Sequence, residues 1–354
     1  MPDVHTRKHT IALVFLFFFT IVVGGGVLLG TMMWMRMGDP YKGYTTGETF
    51  VDIPQGSGVA EIRRRLVEAG VVQDEYTFRA ALWWSGQARS LQAGEYRFAE
   101  PISPLEVIRR LARGDIYTRR ITIPEGLTID EMAKLVESRG FGSATDFVAA
   151  AGDASRIKDL DPQANDLEGY LFPETYALPR NAGAARLVGM MVDRFRAIYT
   201  EEMQQRAAAQ GLTTRQVMTL ASLVEKETGK PEERPLVAAV YRNRLKIGMG
   251  MQADPTVVYA LQKAGRYDGN IRRADLQFDS PYNTYRYAGL PPGPIAAPGK
   301  AAIEAALAPA DVPYIYFVSR NDGSHVFAET LAQHNANVYE HQVLYFRKLR
   351  QARP

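Results

Sequence analysis

From Ile11 to Trp34 no side chain is charged, and a helix of that length spans about 36 Å at 1.5 Å per residue, enough to cross a bilayer. The apolar pattern runs on through GGGVLLGTMMWM, past the point where a cleavable signal would close on a small-residue site. It therefore predicts an uncleaved membrane helix over 11–35. Beyond it the periods shorten. VDIPQGSGVAEIRRRLVEAGV (51–71) and ITIPEGLTIDEMAKLVESRGF (121–141) share one pattern: Ile53 with Ile123, Pro54 with Pro124, Gly56 with Gly126, Glu61 with Glu131, and Gly70 with Gly140. Each copy predicts a strand, a Pro-x-Gly turn and a helix closed by glycine. Between the copies EYTFRAALWW reads as a helix, AGEYRFAE alternates as a strand, and SPLEVIRRLARGD adds a helix capped by Ser103 with Pro104 at its first position.

From about Ala144 to Thr213 the pattern is mostly helical, interrupted by DLEGYLFPETYALP (166–179), which reads as an aromatic and proline-rich loop. Tyr170, Phe172 and Tyr176 there have two readings, sugar-stacking faces or plugs of the core under the loop. Thr213 and Gln216 form a capping box, and Val217, Leu220, Ala221 and Val224 repeat at helical spacing, predicting a helix over 214–228. Glu225 and Glu227 fall on opposite borders of its apolar stripe with Lys226 toward water, so they do not form a catalytic pair by themselves. Glu227 has Lys230 three residues on, a surface ion pair; Glu225 lies beside Ala221 and Ser222, whose small side chains leave room for a ligand. Periodicity alone does not choose between the two. YIYFVSRNDGSHVFA predicts a hairpin turning at Asp322 and Gly323, with His325 a structural residue at the start of its second strand.

Charge narrows the setting. Arg7 and Lys8 precede the apolar run while Arg36 and Asp39 nearly cancel after it, which predicts a cytoplasmic amino terminus and an exported remainder. A net charge of +3 over 42 basic and 39 acidic residues gives no sign of a nucleic-acid partner. The absence of cysteine excludes disulfides, cysteine nucleophiles and thiolate metal sites. No HExxH or GxSxG motif occurs, and five scattered histidines do not predict a metal site. GPIAAPGKA lacks the spacing and the Ser or Thr of a phosphate loop. No cofactor is expected.

The segments ASLVEKETGKPEERPLVAAVYRNRLKIGMGMQADPTVVYAL, SPYNTYRYAGLPPGPIAAPGKAAIEAAL and YIYFVSRNDGSHVFAETLAQHN together resemble the catalytic domain of the membrane-anchored endolytic murein lytic transglycosylases. The resemblance implies that the first Glu of V-E-K-E, here Glu225, is the essential acid. It also implies cleavage between N-acetylmuramic acid and N-acetylglucosamine inside glycan strands, without water and with a 1,6-anhydro end. One carboxyl suffices for that, because the muramic O6 hydroxyl attacks its own anomeric carbon and a single residue donates a proton and then accepts one; hydrolytic glycosidases use two. Such an acid needs its proton affinity raised by burial.

Around Glu225, substrate contacts are expected from Asn243, Gln252, Asp254, Tyr282, Asn283, Thr284 and Tyr285. Asp254 has a second reading, a helix cap ahead of Pro255, and Asn243 a second reading as a hydrogen-bond organiser. LPPGPIAAPG is a rigid stretch suited to a cleft wall. The expected organisation is α+β: a cytoplasmic tail (1–10), a transmembrane helix (11–35), a linker (36–48), a βααβ module resembling LysM glycan-binding domains or acting only as a spacer (49–120), and a catalytic domain of lysozyme-like, single-Glu logic (121–350). Expected partners are peptidoglycan strands, the inner membrane and peptidoglycan synthases. The rival readings are a water-using muramidase with Asp254 as second acid, and a non-catalytic wall-binding scaffold.

Overall fold

A computed structural model of the protein describes residues 4–180 and 182–351, with side chains from residue 13 onward. The start of the expected cytoplasmic tail and the side chains of Arg7 and Lys8 lie outside the described residues. The chain divides into two compact units, Met1–Arg119 and Arg120–Pro354, in a mixed helical and stranded architecture.

The first unit begins with α1 (Val4–Gly38), of which Leu13–Gly38 is long and apolar enough to cross a membrane. There follow β1 (Thr49–Ile53), α2 (Val59–Glu68), α3 (Glu75–Ser85), β2 (Gly94–Phe98) and α4 (Pro104–Arg113). The strands pair antiparallel from Thr49 opposite Phe98 to Ile53 opposite Gly94. Alternation along them aims Val51, Ile53, Tyr96 and Phe98 inward, onto Leu66 of α2, Phe78 of α3 and Val107 and Leu111 of α4. Residues 36–48, expected as a polar linker, are instead fastened to this unit. Met37 is in its core, Tyr41 and Ile102 exchange backbone hydrogen bonds of 3.0 and 3.1 Å, and the Gly43 N–H donates to the Gly70 carbonyl at 2.8 Å. That approach requires glycine at 70, since a Cβ there would sit 2.8 Å from the Gly43 backbone at a φ of +67°.

β3 (Thr118–Thr122) crosses the division between the units and, with α5 (Ile129–Ser138) of the second, forms the other copy of the repeat; the glycines at 56, 70, 126 and 140 all take left-handed φ as the repeat predicts. α6 (Ala144–Ala151) follows. The stretch expected as a plain loop then contains β4 (Thr175–Pro179), which pairs with β3. Tyr170, Phe172 and Tyr176 are buried in the core, which rules out stacking on a sugar. The loop's aromatic density is what anchors it to the hydrophobic interior.

α7 (Ala184–Ile198), α8 (Glu201–Ala209), α9 (Thr214–Glu227), α10 (Arg234–Lys246), α11 (Asp254–Lys263) and α12 (Lys300–Leu307) build the rest of the core. β5 (Tyr316–Ser319) and β6 (His325–Ala328) form the expected hairpin, and α13 (Leu331–Val338) and α14 (Tyr345–Gln351) close the chain. α9 is the central element: every residue from Val217 to Val224 is buried. Its capping box is present, with Thr213 Oγ1 accepting from the Gln216 N–H and the Gln216 side chain accepting from the Thr213 N–H. Thr213→Ala is expected to cost about 1 kcal/mol, read as a lowered urea midpoint of the second unit at unchanged slope.

Candidate active site

α9 ends at Glu227 because Thr228 turns extended, with Gly229 and Pro231 just beyond. A carboxylate in the last turn faces the negative end of the helix dipole, so its ionised form is disfavoured there. Glu227 is partly buried, and burial is the main reason its pKa is pushed up to about 6; the charge of Asp254 adds to the rise, and a hydrogen bond from the Tyr241 hydroxyl opposes it. That hydroxyl donates to Glu227 Oε2 at 3.1 Å. Among the described residues nothing donates to Oε1, which leaves one carboxyl oxygen open to whatever occupies the space in front of it.

That space is a pocket of about 330 Å³ walled by Glu227, Gln252, Asp254, Tyr285, His325 and Phe317. The residues arrive from four places along the chain, and each is held from behind. Tyr285 donates its hydroxyl to Asp254 Oδ1 at 2.6 Å. His325 Nδ1 lies 2.7 Å from Glu233 Oε2, and its backbone N–H donates to Glu233 Oε1 at 2.8 Å, which ties the hairpin to the segment just after α9. Arg244 spends its guanidinium on the Ile315 and Met251 carbonyls at 2.7 and 2.5 Å, fixing the hairpin and the 251–254 turn to α10. Gln252 sits at a φ of 49°, an unusual left-handed backbone for glutamine, with its N–H donating to Thr284 O. A strained residue at a pocket rim is the kind of position that function retains.

Glu225 is elsewhere. Its side chain is only 8% exposed, and both oxygens are engaged: Oε2 accepts from the Gly299 N–H at 3.0 Å and Oε1 faces Arg234 at 3.7 Å. Gly299 is the residue ahead of α12, so Glu225 works as a cap supplied from a distance, a favourable place for a carboxylate. Burial raises its pKa, against the Gly299 hydrogen bond. The room expected beside Ala221 and Ser222 is filled, since Ser222 Oγ accepts from the Ile295 N–H at 3.1 Å and α12 packs on α9. The LPPGPIAAPG stretch thus docks on the Glu225 face of α9.

A profile of the YceG-like family matches residues 51–340. The protein belongs to the YceG-like family. It is 32% identical over 331 residues to the endolytic murein transglycosylase of Bacillus subtilis (strain 168), covering 89% of each chain. It is also 32% identical over 327 residues to the endolytic murein transglycosylase of Streptococcus pneumoniae (strain ATCC BAA-255 / R6), covering 82% of this chain and 58% of that relative. A 2.6 Å crystal structure of a yceG-like protein from Listeria monocytogenes superposes with a TM-score of 0.56 at 30% identity, over 82% of this chain and 98% of that one.

Within this member of the family the expected site residues divide sharply. Gln252, Asp254 and Tyr285 come together, but around Glu227 rather than Glu225. Asp254 does not cap α11: the capping position is Ala253, and the Asp254 carboxylate makes no cap hydrogen bond. The neighbouring turn is instead pegged by Thr284, whose buried hydroxyl accepts from the Ala253 N–H and meets Thr256 Oγ1. Asn283 is likewise internal, donating to the Leu276 and Phe278 carbonyls.

Asn243 is the organiser of its two readings, donating to the Val312 and Tyr314 carbonyls at 2.8 and 3.0 Å. Tyr282 packs on Tyr259 beside a small separate cavity with Glu168 and Arg215. Glu227 makes no ion pair with Lys230; it turns inward to Tyr241. An acid in the last turn before Gly229 breaks the local helix rule, and such breaks concentrate at functional sites, but Glu225 shares that turn, and the two are separated only by their distant partners, Gly299 for Glu225 and Tyr241 for Glu227.

Proposed function

We propose that the protein is an endolytic peptidoglycan lytic transglycosylase in which Glu227 is the single acid and base. The observation that carries this is the Glu227 carboxyl itself: half its oxygens free toward a polar pocket, its pKa pushed up to about 6. It gives its proton to the oxygen leaving C1 of the N-acetylmuramic residue as that glycosidic bond breaks. The carboxylate so formed then takes the proton of the same sugar's O6 hydroxyl as O6 bonds to C1, which closes the 1,6-anhydro ring and restores the acid. Asp254, held by Tyr285, steadies the positive charge that develops at C1, and Gln252 binds an amide or hydroxyl of the sugar.

The likeness to the named relatives supports the substrate. The βααβ order of residues 49–120 supports a LysM-like glycan-binding role ahead of a lysozyme-like catalytic domain over 121–350. The apolar α1 anchors the chain in the inner membrane with its amino terminus cytoplasmic and the rest periplasmic, where it ends strands made by peptidoglycan synthases.

The test is to incubate the full-length chain in detergent with uncrosslinked glycan strands and weigh the products. Ends lighter by one water than reducing sugars are expected. Ordinary reducing ends would instead assign the pocket to a hydrolase, with Asp254 as the second carboxyl.

A further inference from the structure

Outside α1, the large exposed aromatic side chains of the first unit are all on α3: Tyr76 at 74%, Trp83 at 82% and Trp84 at 56%. Tyr76, Arg79 and Trp83, all exposed, recur at i, i+3 and i+7 and so share one helix face. The opposite face, Phe78, Ala81 and Leu82, is in the core. Bare indole surface of this kind marks a contact still to be made.

The covering surface is indicated by what adjoins it. Trp34, in the last turns of α1, meets Trp84 edge-on with ring centroids 4.7 Å apart, and Arg36 lies 3.9 Å from Asp74, the residue that caps α3. One residue further Met37 is 5% exposed, inside the core of the unit. Within one turn α1 passes from exposed apolar surface to packed interior, and the aromatic face of α3 begins at that boundary.

We infer that the exposed face of α3 is a second membrane contact, seated in the headgroup layer where α1 leaves the bilayer. Trp and Tyr suit that layer because a large apolar ring carries a polar N–H or O–H to its wet side. Arg79 and Arg36 stand where lipid phosphates would be, and their long stems allow the charge to reach them. The acids at the start of α3 do not oppose this: Glu75 pairs with Arg63 at 2.8 Å, and Asp74 is engaged by the Thr77 N–H and hydroxyl, each at 2.8 Å. The inference rests on α1 spanning the membrane.

The chain is suited to the test because its 3 tryptophans are Trp34, Trp83 and Trp84. Two full-length variants are reconstituted in phosphatidylcholine–phosphatidylglycerol vesicles: Trp34→Phe/Trp84→Phe leaves Trp83, and Trp83→Phe/Trp84→Phe leaves Trp34. Emission is quenched with a nitroxide on the lipid headgroup, a nitroxide deep in the acyl chain, and aqueous iodide. Trp83 is expected to be quenched most by the headgroup nitroxide and to be about threefold less open to iodide than free tryptophan, as for a side chain in the interfacial belt. Trp83 fully open to iodide and untouched by either lipid quencher, with Trp34 quenched by lipid, overturns the proposal and leaves the anchor standing. If Trp34 also escapes both lipid quenchers, the anchor fails and this contact fails with it.

Discussion

Replacing Glu227 by Gln is expected to lower kcat for strand cleavage by about 100 to 10,000-fold, the range of one general acid–base group. The amide keeps the shape and still accepts from Tyr241 but carries no transferable proton. Glu225→Gln, in contrast, retains an oxygen for the Gly299 N–H and leaves kcat within a few-fold, so the pair of variants measured on the same glycan decides which carboxyl does the chemistry. Equal loss from both would count against the assignment.

The wild-type pH profile follows from the same group. The protonated form is the one that starts the reaction, so kcat/KM falls about tenfold per unit as pH rises beyond about 6. Stability runs in the same direction. A carboxyl raised from 4.5 to about 6 on folding contributes fully below its unfolded value and loses that contribution as pH climbs through its folded one, on the order of 1–2 kcal/mol. Glu227→Gln therefore makes the protein inactive and, above pH 6, slightly more resistant to urea, a combination that misfolding does not produce.

The largest expected loss of stability comes from Arg215→Leu. Asp161 is buried and held by Arg215 Nε at 2.9 Å, the Tyr170 hydroxyl at 2.7 Å and the Gln163 N–H at 3.1 Å. Arg215 also donates to the Pro292 carbonyl at 2.7 Å, at the head of the stretch that docks on α9. Removing the cation strands a buried carboxylate, which costs roughly 3–5 kcal/mol. For a unit of this size that is a thermal midpoint lower by roughly 10 °C, read by far-ultraviolet circular dichroism because the tryptophans all lie in the first unit. Adding Asp161→Asn to Arg215→Leu should recover much of the loss; no recovery would mean that the Pro292 contact, and not the stranded charge, is what mattered.

The features legible in the sequence were those set by neighbours along the chain. Thr213 and Gln216 declared the start of α9, Asp322 and Gly323 declared the hairpin, and the repeated Pro-x-Gly turns declared the strand–helix pairs. The environment of a carboxyl is set by partners far away in sequence, and there the pattern was silent or misleading. The backbone N–H that occupies Glu225 comes from residue 299, and the small residues beside it made room for Ile295 rather than for a ligand. Polar residues that looked suited to sugar, Asn243, Asn283 and Thr284, are consumed by backbone groups of turns that would otherwise be buried unpaired. The aromatic loop misled for the same reason: composition reveals that rings are dense, and only packing decides whether they face inward.

The fastening of Met37 at the end of α1 and of Tyr41 and Gly43 just beyond it makes that helix a cantilever rather than a tether. Its charge-free run from Ile11 to Trp34 extends about 36 Å, more than the ~30 Å of hydrocarbon in a typical bilayer, and in a helix that spans the membrane a surplus of that kind is taken up as tilt. With no slack at the root of the rod, the anchoring proposed above would turn each degree of tilt into a degree of rotation of the first unit, so that the thickness of the lipid would set the angle at which that unit is presented.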